Sequence, residues 1–345
     1  MKKSVHIINA MQIGGVEVGV LSLLKSTINS DYRVIAIKGC DEDLYQSLTF
    51  NEQSRLFICN GYWSVLLLLL SLKPKVIISS LWRAHLVSLI YKLIKPTVQR
   101  IHFVHNAGFS HKIDNLITRL SVFMADFIFC DSNKSKNWLK NICKSKYASV
   151  ISMNVSFSSE KKEAYFHPIN FVFVGRFCEQ KNLLKALEFV KKLNTNGLVS
   201  TFDLYGRDDG ELKFLTDYVN NHNLSQLITF HEALLPTDIE REMRKYNYYL
   251  QTSLVEGMAI SVYQALKNGL LPVVTPVGEI ENYTENLVNS FYLDIDDIDG
   301  SAIKFQQLID SGEVKKLIVG SILNEKSYPN FDAAFFSKVM KINSL

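Results

Sequence analysis

SLVEGMAISVYQALKNGLLPVVTPVGEIEN, residues 253–282, is the stretch whose reading decides the fold. It opens with a short loop that carries an acid, Glu256. A helical apolar pattern follows from near Met258, then the β-rich run LPVVTP. Upstream, FVFVGRFCEQKN (171–182) is an apolar strand that ends in Gly175 and Arg176 and adds Lys181. Strand, loop, helix, strand is the unit of a parallel sheet. Such sheets bind ligands outside the carboxyl ends of their strands. An acid, two cations and a helix N-terminus gathered there suit a sugar joined to a diphosphate.

The same alternation runs through the chain. SVHIINA, YRVIAI, RLFIC, KVIISSL, QRIHFV and DFIFCDS are short β-rich runs in the first half, most of them separated by apolar helical stretches. INFVFVG, STFDLYG, LITFHE, YYLQTS and LPVVTP repeat the pattern in the second. The expected class is therefore α/β, with two doubly wound parallel sheets. The polar segment SFSSEKKEAYFHP (156–168) marks the boundary, giving an N-terminal domain over 1–160 and a C-terminal domain over 161–328. FDAAFFSKVMKI, within 329–345, reads as a final helix that crosses back onto the first domain.

Composition agrees with a large enzyme. Of 345 residues, 47% are hydrophobic and 21% charged, enough to build more than one core. The five cysteines are scattered, with no CxxC pair. That argues against a disulfide frame or zinc site and for a reducing compartment, so a cytoplasmic location is expected. MKKSVHIINAMQIGG reads as a first strand and not as a signal peptide. YWSVLLLLLSL (62–72) is too short to span a bilayer, which takes ~20 residues, and reads as a buried helix.

Charge is uneven. Residues 1–160 hold 19 Lys and Arg against 10 Asp and Glu, whereas the remainder hold 19 against 24. A basic half suits a phosphate-bearing acceptor or the anionic cytoplasmic face of a membrane. FSHKIDNLITRLSVFM (109–124) has helical apolar spacing with Lys112 and Arg119 beside it. NKSKNWLKNICKSKY (133–147) sets Lys136, Lys140 and Lys144 one helical turn apart near Trp138. Both segments are candidates for peripheral membrane contact, and each is equally a core face with a solvated basic edge. The aromatics near these lysines are too few and irregular for a nucleic-acid platform, so no nucleic acid is expected.

The candidate site residues follow from chemistry at strand ends. Arg176 and Lys181 would stabilise the charge that grows on a diphosphate leaving group. Glu256 would accept hydrogen bonds from sugar hydroxyls, while Gly257, Met258 and Ala259 turn backbone amides toward phosphate. Gln264, two turns into the helix, can bond vicinal hydroxyls. Gly14 and Gly15 follow the first strand and allow close approach of backbone to ligand. They are not part of a GxGxxG motif, and no acid is placed for an adenosine ribose, which argues against a dehydrogenase. His105 ends another strand and can donate a hydrogen bond to a sugar, with His102 as a core side chain. The acids of LDIDDIDG (293–300) look like a DxD metal motif but lead into a helical pattern, so capping is the expected role and no metal is expected.

Taken together, the GGVE of 14–17, His105, CDSNKSKNWL, Asn154, VGRFCEQKN, YGRDDGE and the 252–282 block resemble the retaining glycosyltransferases of family 4, within glycosyl transferases group 1. The resemblance covers nearly the whole chain. It implies the GT-B fold, two facing Rossmann-like domains with a cleft between them. It also implies a nucleoside-diphosphate sugar, UDP- or GDP-linked, as donor, and a glycan or lipid-linked hydroxyl as acceptor. The setting would be bacterial surface polysaccharide synthesis, with no cofactor besides the donor. In that scheme Arg176 and Lys181 hold the diphosphate, Glu256 and His105 the transferred sugar, and Gln264 the ribose. Two departures stand out. Gln264 occupies the place of the family's second Glu, which is expected to weaken ribose binding. EGMAI stands where EGFG is frequent. They keep open an inactive, donor-binding partner subunit. A sugar-nucleotide epimerase of the same fold is a further alternative.

Overall fold

The computed structural model describes residues 3–105, 108, 109, 111–143, 148–155, 157, 166–317 and 330–343. The chain forms two compact units, Met1–Val155 with Tyr328–Leu345, and Ser156–Ser327. Most of the polar boundary segment read from the sequence, and Lys144 of the basic run, lie outside the described residues.

The first unit is built on a parallel sheet of β1 (Ser4–Ile8), β2 (Tyr32–Ala36), β3 (Leu56–Ile58), β4 (Val76–Ser80), β5 (Gln99–Val104), β6 (Phe127–Cys130) and β7 (Ala148–Val150), in the order β3-β2-β1-β4-β5-β6-β7. β1 and β4 are buried along their whole length, as strands covered on both faces must be. This is why they read as continuous apolar runs and not as alternating ones. Val5, Ile7, Ile35, Ile77, Val87 and Tyr91 pack into one cluster of this core. The helix Phe331–Asn343 closes the unit: Phe335 stacks on His6 at 6.1 Å, Phe336 meets Tyr32 edge-on at 5.3 Å, and Ser26 donates to Asp332 at 2.8 Å.

The second unit repeats the plan with β8 (Ile169–Val174), β9 (Ser200–Tyr205), β10 (Ile228–His231), β11 (Tyr248–Gln251), β12 (Leu271–Val274) and β13 (Phe291–Tyr292), in the order β10-β9-β8-β11-β12-β13. Every pair is parallel. In both sheets the strand order reverses, between β1 and β4 and between β8 and β11. In open parallel sheets such reversals are the points at whose carboxyl ends ligands bind.

All eleven strand runs read from the sequence form strands. β7 and β13, three and two residues long, are not among them; runs this short carry no periodicity, and β3, equally short, is readable because Leu56, Phe57 and Ile58 are all apolar. The apolar run at 62–72 is the helix Tyr62–Leu72, but only one side of it is buried. Val65, Leu66 and Leu69 face the core, while Trp63 is 80% and Leu67 67% exposed. An unbroken run of leucines has no polar face to mark the solvent side, so the sequence could not show which side that was.

Candidate functional site

The reversal between β8 and β11 brings two loops together. After β8 the chain makes a single tight turn, Glu179–Lys181, and Asn182 takes a left-handed conformation (φ 49°) before the helix Leu183–Thr195 begins. The loop after β11 is tied to this turn by four hydrogen bonds. Leu254 N–H donates to Gln180 O at 3.0 Å, Gln180 Nε2 to Val255 O at 2.7 Å, and Thr252 Oγ1 to Asn182 O at 2.8 Å and to Lys181 O at 3.4 Å. The result sets Lys181 Nζ 2.6 Å from Glu256 Oε1, both largely buried.

Glu256 is held from behind as well. Gln251, fully buried at the end of β11, donates its amide to the same Oε1 at 3.2 Å. The Tyr249 hydroxyl lies 3.1 Å from Gln251 Oε1 and 2.7 Å from Ser261 Oγ. Burial pushes the Tyr249 phenol well up, so it stays protonated. Gln251 and Tyr249 lie in a run read only as a strand. A polar Gln closing the apolar run YYLQ was the available signal, because a buried amide needs a partner.

Met258 and Ala259 are fixed from the far side. Tyr283 Oη donates toward Met258 O and Ala259 O at 3.0 and 3.1 Å, and Glu279 N–H donates to Gly257 O at 2.9 Å. Ala259 caps the helix Ile260–Lys267 with φ 50°. Gly278, at φ 71°, packs its α-carbon against the backbone: a β-carbon there would sit 2.4 Å from Glu256 O and 2.7 Å from Gly257 O. A cavity of about 400 Å³ opens beside this loop, at the ends of β11, β12 and β13, lined by Ser253, Thr275, Val277, Tyr292 and Asp294 among others.

Two expected members bond to other carboxylates and not within the Lys181–Glu256 pair. Arg176 is half-exposed and donates to Asp209 at 2.6 Å, with Arg207 3.6 Å from the same carboxylate. Gln264 is 1% exposed, and its amide points at the buried Glu240, 3.4 Å away. Glu240 also accepts from Phe157 N–H at 2.7 Å. Sequence reading passed over Glu240, since an acid in a charged helical segment normally faces water.

In the first unit Gly14 caps the helix Gly15–Lys25 in an extended conformation, and its carbonyl accepts from Val18 N–H at 2.8 Å. His105, at the end of β5, is buried and its Nε2 lies 2.8 Å from Ser80 Oγ. Burial lowers its pKa to about 3, so the ring is neutral and the Asp131 carboxylate at 3.9 Å is not an ion-pair partner near neutrality. His102 is a core side chain bonded to Ser121 Oγ at 2.7 Å. In the acidic run, Asp297 caps the helix Ile298–Asp310 by accepting from Gly300 N–H at 2.9 Å, Asp294 accepts from Asp296 N–H, and Asp299 pairs with Lys192. Cys40, Cys59, Cys130, Cys143 and Cys178 are free thiols.

Two parallel-sheet α/β units with these strand orders define the GT-B fold. Solved structures of the same build bear this out. Anabaena HepE, solved in complex with UDP and glucose, superposes with a TM-score of 0.83 over 100% of both chains at 14% identity. Sucrose-phosphate synthase from Thermosynechococcus elongatus gives 0.82 over 99% of both at 12% identity. Residues 155–319, which contain the whole Lys181–Glu256 constellation, match the family model described as glycosyl transferases group 1. A UDP-Gal:alpha-D-GlcNAc-diphosphoundecaprenol alpha-1,3-galactosyltransferase of Escherichia coli is 29% identical over 133 residues, a stretch covering 37% of this chain and 33% of that protein.

Proposed function

We propose that this protein is a retaining glycosyltransferase that moves a sugar from a nucleoside-diphosphate donor to the hydroxyl of a glycan or lipid-linked acceptor. The observation that carries the reading is the Lys181–Glu256 pair, 2.6 Å apart where the order of the second sheet reverses. Lys181 has three N–H donors. One can stay on Glu256 while the others reach a diphosphate, so donor binding need not strand the carboxylate. Glu256 keeps Oε2 for sugar hydroxyls. As the glycosidic bond breaks, negative charge builds on the diphosphate and Lys181 stabilises it more than in the ground state. Arg176 adds a second cation once it exchanges Asp209 for phosphate. The leaving diphosphate then helps to deprotonate the acceptor on the face it departs from, which keeps the anomeric configuration. No step calls for a metal or a further cofactor.

UDP is the favoured nucleotide, supported by the UDP complex of HepE and by the donor named for the Escherichia coli relative. That relative's acceptor also supports a polyprenol-linked one. The setting proposed from the family resemblance is bacterial surface polysaccharide assembly at the cytoplasmic face of the membrane. A panel of UDP-, GDP-, dTDP- and ADP-sugars, with product detection in the presence and absence of EDTA, tests the reading. Transfer or slow donor hydrolysis with a UDP-sugar, insensitive to EDTA, is expected. Donor binding without turnover would mean a non-catalytic subunit. Interconversion of two sugar nucleotides without an acceptor would mean an epimerase.

A further inference from the structure

A row of buried polar side chains runs diagonally across the first sheet, from Tyr32 at the start of β2 to His105 just past the end of β5. Tyr32 Oη lies 2.7 Å from His6 Nδ1, His6 Nε2 lies 2.7 Å from Ser80 Oγ, and Ser80 Oγ lies 2.8 Å from His105 Nε2. These residues come from β2, β1, β4 and the end of β5. All four are buried, walled by Phe103, Phe335 and Phe336. Burial lowers the pKa of His6, like that of His105, to about 3, and raises that of Tyr32, so every member is neutral near pH 7.

Neutrality makes the proton count decisive. Four groups bring one mobile proton each, and three contacts use one each. One proton is left over, and it sits at one end or on Ser80. With both rings donating to Ser80, its own O–H would be buried with no acceptor among the described residues, and His105 Nδ1 would again be a bare lone pair, so the ends remain. If the bonds run from His105 to Tyr32, the spare proton is the Tyr32 O–H. That hydroxyl is then buried with no acceptor, because among the described residues His6 is its sole partner. The same direction leaves the bare lone pair of His105 Nδ1 facing the Asp131 carboxylate. If the bonds run from Tyr32 to His105, both faults disappear. Tyr32 O–H donates to His6, His6 Nε2–H to Ser80, and Ser80 O–H to His105 Nε2. The spare proton then rests on His105 Nδ1, a buried atom without a hydrogen-bond partner, 3.9 Å from Asp131 Oδ2.

We infer that Tyr32, His6 and Ser80 are positioning residues that lock His105 as its Nδ1–H tautomer, so that its one unengaged ring atom is a fixed hydrogen-bond donor. A donor there suits an acceptor oxygen such as that of a sugar hydroxyl, and rejects a group that can only donate. What Nδ1–H meets rests on the glycosyltransferase reading; the tautomer does not.

Long-range proton–nitrogen correlation spectra of the full-length protein labelled with 15N-histidine test it at pH 7. His105→Gln and His6→Gln identify the signals. The expected result is a proton on Nδ1 of His105 and on Nε2 of His6. Tyr32→Phe keeps the ring but removes the terminal donor, and should shift both residues toward the opposite tautomer. A proton on His105 Nε2 in the wild type overturns the proposal, and so does a His105 pattern unchanged by Tyr32→Phe. With a donor in hand, Tyr32→Phe should lower turnover ~3–10-fold, and Tyr32→Phe combined with His105→Ala should lose no more than His105→Ala alone, the sign of residues acting as one unit. Losses that multiply would overturn the role in positioning. An inactive wild type would sink the glycosyltransferase reading and leave the spectroscopic result standing.

Discussion

At the scale of single residues, the second unit turns on one cation and one carboxylate. Lys181→Ala removes the charge assigned to the diphosphate and should lower turnover by ~10²-fold or more. It also leaves Glu256 buried without its counter-charge, a change of the kind that costs ~3–5 kcal/mol, so the melting temperature should fall too. Lys181→Arg separates the two effects: it should restore most of the stability and only part of the rate, because a planar fork replaces a point charge. Steady-state rates and thermal unfolding on the two variants check this; equal rates in Lys181→Ala and wild type would remove Lys181 from the site. Gln264 calls for a different expectation. Its amide points at the buried Glu240, 3.4 Å away. Gln264→Glu would set two carboxylates side by side in a buried site, where each disfavours the charge of the other. The variant should unfold at a lower temperature than wild type at pH 7, and the gap should narrow toward pH 5. A variant as stable as wild type at pH 7 would show that the amide does not sit against Glu240.

At the scale of elements, the second sheet holds its loops by backbone contacts. Gly278→Ala would need φ 71° at a residue with a β-carbon and would press that carbon onto the carbonyls of Glu256 and Gly257. A destabilisation of ~1–3 kcal/mol is expected, with turnover falling further than stability explains, because the displaced loop carries Glu256. Denaturant melts and rates on the variant decide; wild-type values for both would mean the loop has slack. The first sheet carries the acid response. His6 and His105 are held near pKa 3 by burial, against 6.5 for an exposed imidazole, and His85 is pushed well below that value too. A depressed folded pKa means the unfolded chain takes up protons first. Stability is then fully present above about pH 6.5 and is lost as pH falls toward 3, by up to ~1.4 kcal/mol per pH unit for each proton. Chemical denaturation from pH 8 to 4 should show a plateau and then a steep decline. Much of this architecture was legible beforehand. Apolar runs bounded by turns gave every strand long enough to have a pattern, and Glu256 and Lys181 announced themselves as charged residues at strand ends. The polar partners behind them did not. Gln251, Glu240 and the Tyr32–His6–Ser80 row are distant in sequence, and they share only the requirement that a buried polar atom find a mate, which appears once the strands are ordered.

At the scale of the whole molecule, the uneven charge has a counterpart on the surface of the first unit. In the helix Lys112–Met124, Ile117, Thr118, Ser121 and Val122 face the core. Ile113, Leu116, Leu120 and Phe123 form an exposed stripe on another side, Phe123 at 76% exposure, with Lys112 and Arg119 exposed beside it. The helical apolar spacing seen in the sequence is thus two faces and not one core face, since Ile117 is buried while Ile113, Leu116 and Leu120 are not. A lone exposed leucine needs no explanation, but a stripe flanked by cations fits a helix lying in a lipid interface. Among the described residues no helix is long and apolar enough to cross a membrane, so contact through this face would be peripheral. Two terms would add: burial of the stripe, insensitive to salt, and attraction of the cations to anionic headgroups, worth ~1 kcal/mol each near the surface and screened over about 8–10 Å at physiological salt. Vesicle co-sedimentation should therefore show binding to anionic vesicles that weakens with salt but does not vanish. Leu116→Ser with Phe123→Ser should abolish the salt-resistant part, and Lys112→Gln with Arg119→Gln should reduce the salt-sensitive part. Equal partition of the wild type to neutral and anionic vesicles would contradict the electrostatic term, and unchanged binding by the serine variant would remove the stripe from the interface.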